Sequence, residues 1–146
     1  PNHYMMPNKY FTQLIDGSTR KEDEQEVDGM IEKCHVIVLV YDVNNHECKK
    51  RLKQYWMPRI VKINERAPVI FVGNKIDLRN RTADRNEHKN LLNDNFEPFQ
   101  QVQHGIECSA KMHINLIDVI ASAQRAYLYP VEPLYDSLAK SLKPDF

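Results

Sequence analysis

Glycine is scarce in this chain. Only four occur in 146 residues, at positions 17, 29, 73 and 105. None belongs to a Gly-x-x-x-x-Gly-Lys-Ser/Thr loop, so these residues contain no backbone N–H cradle of that kind for nucleotide phosphates. Charge of one sign is missing too. Twenty basic residues meet twenty acidic ones, which leaves no electrostatic footprint for nucleic acid or an anionic membrane surface. No apolar run approaches the roughly 20 residues that a membrane-spanning helix needs. The opening Pro1-Asn2-His3-Tyr4-Met5-Met6-Pro7 lacks the charged-then-apolar layout of a signal peptide and any initiator methionine. It reads as the edge of a fragment or a processed piece. The three cysteines, Cys34, Cys48 and Cys108, are odd in number and widely spaced. They suit reduced thiols in a cytosolic compartment better than a disulfide framework or a zinc site. The histidines are scattered without metal-ligand spacing.

What remains is ordinary globular material. Hydrophobic residues make up 42% and charged residues 27%, enough for one domain with a real core and too little chain for two. Tyr10–Ile15 reads as a strand with imperfect alternation, ending at the polar run Asp16-Gly17-Ser18-Thr19-Arg20. Glu22–Lys33 is mostly charged, with Val27, Met30 and Ile31 at helical spacing, which predicts a surface helix with a narrow apolar stripe. His35–Asp42 is a near-continuous β-branched run, as in a parallel strand covered on both faces. A helix is expected over 46–64 from Leu52, Trp56, Ile60 and Ile63, kinked or restarted at Pro58. A strand at 68–73 follows, then an exposed loop over 79–90 and a weak helix near 85–94. The last strand is Gln101–Cys108. An amphipathic helix over Ile114–Tyr127 buries Leu116, Ile117, Ile120, Ala123 and Tyr127. A short helix in the tail precedes Lys143-Pro144. Four strands alternating with helices imply βαβ units and a mostly parallel sheet.

The chemistry concentrates at Asn74-Lys75-Ile76-Asp77. A polar cluster at the carboxyl end of a buried strand is where α/β sheets place ligand contacts. A carboxylate presents two acceptor oxygens side by side. Guanine presents two neighbouring donors, its ring N1–H and its exocyclic amino group. Adenine has an acceptor at N1 and no 2-amino group, and leaving a charged acceptor unpaired costs about 1–3 kcal/mol or more. An Asp in this position therefore selects guanine. Ser109-Ala110-Lys111 ends the next strand, and in a parallel sheet those two strand ends can flank one pocket. Taken by itself, Asn74–Asp77 is also compatible with an Asx-rich turn.

Together these stretches resemble the Ras-like small GTPases. Asn74-Lys75-Ile76-Asp77 is similar to the family's Asn-Lys-x-Asp motif, and Glu107-Cys108-Ser109-Ala110-Lys111 to its second base loop. Asp16 stands where the family carries the first residue of Asp-x-x-Gly. Val40-Tyr41-Asp42-Val43-Asn44-Asn45, Tyr55-Trp56-Met57-Pro58 and Ala123–Pro130 with Pro133-Leu134-Tyr135-Asp136 look like the N-terminal GTPase domain of the mitochondrial Rho (Miro) family. The resemblance implies a three-layer α/β P-loop NTPase fold that lacks the first strand and phosphate loop. It places a partial GTPase domain over 1–130 and a linker over 131–146. It also implies GTP or GDP as ligand, with Asp77 taking the two guanine donors and Asn74 bridging toward the phosphate-binding segment. The stems of Lys75 and Lys111 lie against base and sugar. Ala110 N–H donates to the guanine carbonyl, Ser109 buttresses Asp77, and Asp16 reaches Mg2+ through water. For the parent protein it implies effectors or transport adaptors as partners, the cytosolic face of the mitochondrial outer membrane, and regulation of mitochondrial transport. Any membrane contact comes from regions absent here.

The chain departs from that pattern twice. The phosphate loop is absent, with the first strand, its helix and the first switch segment. Removal of a central strand would expose apolar sheet surface and an unpaired edge. Asp-x-x-Gly ends in Thr19, and Arg20 stands where many relatives carry the Gln that orients water. Asp16 is equally readable as a turn former or helix cap. A non-catalytic interaction module that keeps the fold without phosphate chemistry remains the alternative.

Overall fold

A computed structural model describes residues 11–79 and 99–129, together with the backbone of short strands at 3–5, 135–136 and 141–142. The chain divides into two compact units, Pro1–Cys34 and His35–Phe146.

In the first unit β1 (His3–Met5) pairs antiparallel with β2 (Phe11–Gln13), Tyr4 opposite Thr12. The strand expected over 10–15 is thus shorter, and it belongs to this ribbon instead of the parallel sheet. The short connection between the two segments suits antiparallel pairing, whereas parallel neighbours need a long crossover. A 3-10 turn at Lys21–Asp23 leads into α1 (Glu24–Lys33). Arg20 bonds Ser18 Oγ through its backbone N–H at 3.1 Å and Asp23 through Nε at 2.9 Å. Glu24 and Glu26 occupy the first turn of α1 and Lys33 the last, matching the helix dipole. Val27 and Ile31 are buried, so the stripe is as narrow as the sequence predicts.

The second unit holds a parallel sheet of three strands, β3 (Ile37–Asp42), β4 (Val69–Asn74) and β5 (Val102–Glu107), in that spatial order. Val69, Ile70, Phe71 and Val72 in the central strand are at most 1% exposed. The register sets Asp42 beside Asn74 and Gly73 beside Glu107, so the carboxyl ends of all three strands form one rim. Asn45 caps α2 (His46–Arg51), its Oδ1 accepting from Glu47 N at 3.0 Å and Cys48 N at 3.3 Å.

The kink expected at Pro58 takes the form of a π-turn over Leu52–Trp56, before α3 (Met57–Ile63). Met57 N–H donates to Leu52 O, five residues back. Pro58 has no N–H and its ring crowds the carbonyl four residues earlier, and the widened turn absorbs both. The extra residue moves Met57 into the core position that Trp56 would fill. Met57 and Ile60 are fully buried, while Trp56 is half-buried and packs edge-on against Tyr55.

On one face of the sheet, Ile70, Val72 and Cys108 pack with Ala126 of α4 (Leu116–Leu128), joined by Val36, Val38, Leu116 and Val119. The apolar face of α4 is therefore rotated from the expected one, and Ile117 is 83% exposed and Tyr127 52%. Leu116, Ile117, Val119, Ile120, Ala121 and Ala123 leave the helix apolar over most of its circumference, so spacing does not fix its phase. Tyr127 stacks on His35, ring centroids 5.0 Å apart. The loop expected at 79–90 and the helix at 85–94 lie outside the described residues except Arg79, which is half-buried. In the tail, Tyr135–Asp136 pairs antiparallel with Ser141–Leu142 where a short helix was expected; the rest of the 131–146 linker is outside the described residues. No helix among the described residues is long and apolar enough to cross a membrane.

Candidate functional site

The site is built at the rim where β4 and β5 end. Gly73 enters it with no room for a side chain, since a Cβ there would meet Val43 Cγ1 at 2.7 Å and the Tyr41 hydroxyl at 3.0 Å. Asn74 follows, and Lys75 turns the backbone into the left-handed region at φ 66°. That conformation costs a non-glycine residue about 1–2 kcal/mol, and neighbouring groups hold it. Asn44 Nδ2 donates to Lys75 O at 3.1 Å, Ile76 N donates to Cys108 O at 3.3 Å, and Lys75 Nζ pairs with Asp42 at 3.0 Å. A 3-10 turn, Ile76–Leu78, then presents Asp77.

The second loop is pinned by Ser109 and Ile114, which exchange backbone hydrogen bonds at 3.1 and 3.0 Å. Left-handed His113 and Asn115 shape the turn, and Asn115 Nδ2 donates to Glu107 O at 2.9 Å. Ser109 is fully buried.

The two loops are joined by side chains. Ser109 Oγ donates to Asp77 Oδ1 at 2.6 Å and accepts from Met112 N at 3.0 Å. Ala110 N donates to Asn74 Oδ1 at 3.0 Å, and Cys108 Sγ approaches the same oxygen at 3.6 Å. Arg79 and Glu107 form a two-pronged ion pair at 2.8 and 2.6 Å. Asp77 is exposed, so beside the oxygen held by Ser109 it still offers acceptor capacity to a ligand with two adjacent donors. The Ala110 N–H reaches a ligand carbonyl only by leaving Asn74 Oδ1.

Asn74, Lys75, Asp77, Ser109 and Ala110 thus converge, and Lys111 lies exposed on the same turn. Asp16 lies in the first unit, exposed, in a segment without regular structure. Among the described residues no three His, Cys, Asp or Glu side chains gather as a metal site. One exposed carboxylate is not by itself a donor set for Mg2+. Sequence reading missed Asp42, Asn44, Arg79 and Asn115 as site-building residues, and it placed Glu107 in the second base loop without its partner Arg79. Asn44 N–H, donating at 2.8 Å, holds the Asp42 carboxyl below its ordinary pKa, and Lys75 adds to this. Burial pushes the Cys108 thiol up. It also pushes His104 down, aided by the Arg125 charge.

Residues 5–128 match the model of the Ras family. With the parallel sheet and helices on it, that match defines the class: the chain belongs to the Ras family. Among similar proteins are those named Mitochondrial Rho GTPase 1. The one from Mycosarcoma maydis is 35% identical over 138 residues, covering 94% of this chain and 18% of the relative. That of Cryptococcus neoformans is 34% identical, covering 94% and 20%. That of Arabidopsis thaliana is 29% identical, covering 97% and 22%. The chain spans about a fifth of the length of these curated relatives.

Proposed function

We propose that this chain is the guanine-selecting part of a GTP-binding domain in a mitochondrial Rho-type protein. The single observation that carries the reading is Asp77, exposed at a strand end and oriented by buried Ser109 at 2.6 Å. Asn74 and Ala110 stand across the same rim, one acceptor and one donor. In the proposed complex Asp77 accepts from the guanine N1–H and 2-amino groups. Ala110 N–H passes from Asn74 to the guanine carbonyl, and the stems of Lys75 and Lys111 cover base and sugar. For the longer protein we propose GTP hydrolysis, effector or transport-adaptor partners, and residence on the cytosolic face of the mitochondrial outer membrane. The relatives' names support the GTPase and mitochondrial parts of this reading, and the Asn-Lys-x-Asp loop supports the guanine nucleotide. Thr19 at the fourth position of Asp16-x-x-Gly favours the second reading, an interaction module without hydrolysis.

Binding of GMP and AMP to the 146-residue chain, followed by NMR at millimolar nucleotide, tests the base site. GMP is expected to bind more tightly, and Asp77→Ala to bring the two to parity. Equal binding of GMP and AMP by the unmodified chain refutes the assignment.

A further inference from the structure

We propose that Arg79 and Glu107 are a positioning pair that sets guanine specificity, holding Asp77 at the spacing from Ala110 that the base requires. The inference rests on the base site proposed above. Arg79 stands two residues after Asp77, and Glu107 two before Ser109. The ion pair and the Ser109–Asp77 hydrogen bond therefore close a small ring across the two loops. Both prongs are short, 2.8 and 2.6 Å, and the side chains are only 21% and 23% exposed. A bidentate guanidinium–carboxylate pairing fixes orientation as well as distance.

Its importance follows from what the other links do when a base binds. The Ala110–Asn74 bond must open, because guanine needs that N–H. The Ser109–Asp77 bond shares its carboxylate with the ligand. The Arg79–Glu107 ion pair is made by side chains other than those of Asn74, Asp77 and Ser109, so a bound base need not open it. Arg79 N also donates to Ile76 O at 3.1 Å, tying the ion pair to the turn that presents Asp77. If the pair is cut, Asp77 can swing relative to Ala110, and both ends of guanine no longer meet their partners together. The hydrogen bond from the 2-amino group breaks first, and that group is what separates guanine from hypoxanthine.

The test compares GMP with IMP on the 146-residue chain, in unmodified form and as Arg79→Ala, Arg79→Lys, Glu107→Ala and the exchange Arg79→Glu with Glu107→Arg. The unmodified chain should prefer GMP by on the order of tenfold, the value of one hydrogen bond to a charged group. Arg79→Ala, Glu107→Ala and Arg79→Lys should approach parity, the last because ammonium cannot make the fork. The exchange should recover at least half of the preference on a logarithmic scale. A merely structural pair would weaken both nucleotides equally and leave their ratio alone, and that result overturns the proposal. So does loss of preference in the exchange variant while its β4–β5 amide spectrum matches that of the unmodified chain. Failure of the unmodified chain to distinguish GMP from AMP would instead remove the base site itself, and this inference with it.

Discussion

Asp42 shows how a site residue can hide in plain sequence. It ends β3 as one more polar residue, and nothing near it in the chain marks Lys75 as its partner. Only the pairing of β3 with β4, which sets Asp42 beside Asn74, brings the ammonium to 3.0 Å. Its depressed pKa fixes the sign of a pH effect. The stabilisation is present above the ordinary carboxylate range, near pH 4, and is lost as pH falls through the lower folded value. Asp42→Asn should flatten that acid limb in thermal melts recorded downward from pH 7. At neutral pH it should cost no more than about 1 kcal/mol, because Lys75 is half exposed and screened. Gly73 is the sterically strict position. Gly73→Ala meets a β-branched Val43 that has little rotamer freedom, and overpacking of this kind costs about 1–3 kcal/mol, measurable in urea. Asn74, Asp77 and Ser109 were legible because their chemistry is local to a strand end. Arg79, Asn44 and the pairing of Glu107 with Arg79 were not, because these roles exist only across loops.

At the scale of elements, the helix over 46–64 was legible in extent and in its break, since Pro58 must disturb any helix that contains it. Its register was not, because a 3.6-residue period assumes that no residue is inserted. The π-turn inserts one. Met57→Ala is therefore expected to cost about 2–5 kcal/mol, as for a core truncation, and more than Trp56→Ala despite the larger ring. The opposite order in urea denaturation would restore the regular-helix register. In α4 the ambiguity was of phase, and the sheet resolved it by taking Leu116, Val119 and Ala126. Strand identity was the third gap. β2 is strand-like by composition, yet a two-strand antiparallel ribbon and a parallel sheet read alike over three residues.

For the whole molecule, choosing a base is separate from acting on a phosphate. In the proposed reading the sheet rim carries the first function, and residues 1–146 contain no Gly-x-x-x-x-Gly-Lys-Ser/Thr loop for the second. Phosphates supply most of the charge-assisted hydrogen bonds in a nucleotide site. A single-turnover assay of this chain with Mg2+ and GTP should therefore show no hydrolysis above the uncatalysed rate. The Asn-Lys-x-Asp pattern, the second base loop and the three parallel strands were readable from residue types and spacing. The ties that make the rim rigid were not, and they decide how well it selects. The most direct measurement follows the Ala110 amide by NMR while the full chain is titrated with GMP and, separately, AMP. GMP is predicted to shift Ala110 together with Lys75–Leu78, and AMP to do so far less. Shifts of equal size from both nucleotides, or GMP shifts that spare Ala110 and Asp77, would contradict a guanine-selecting rim.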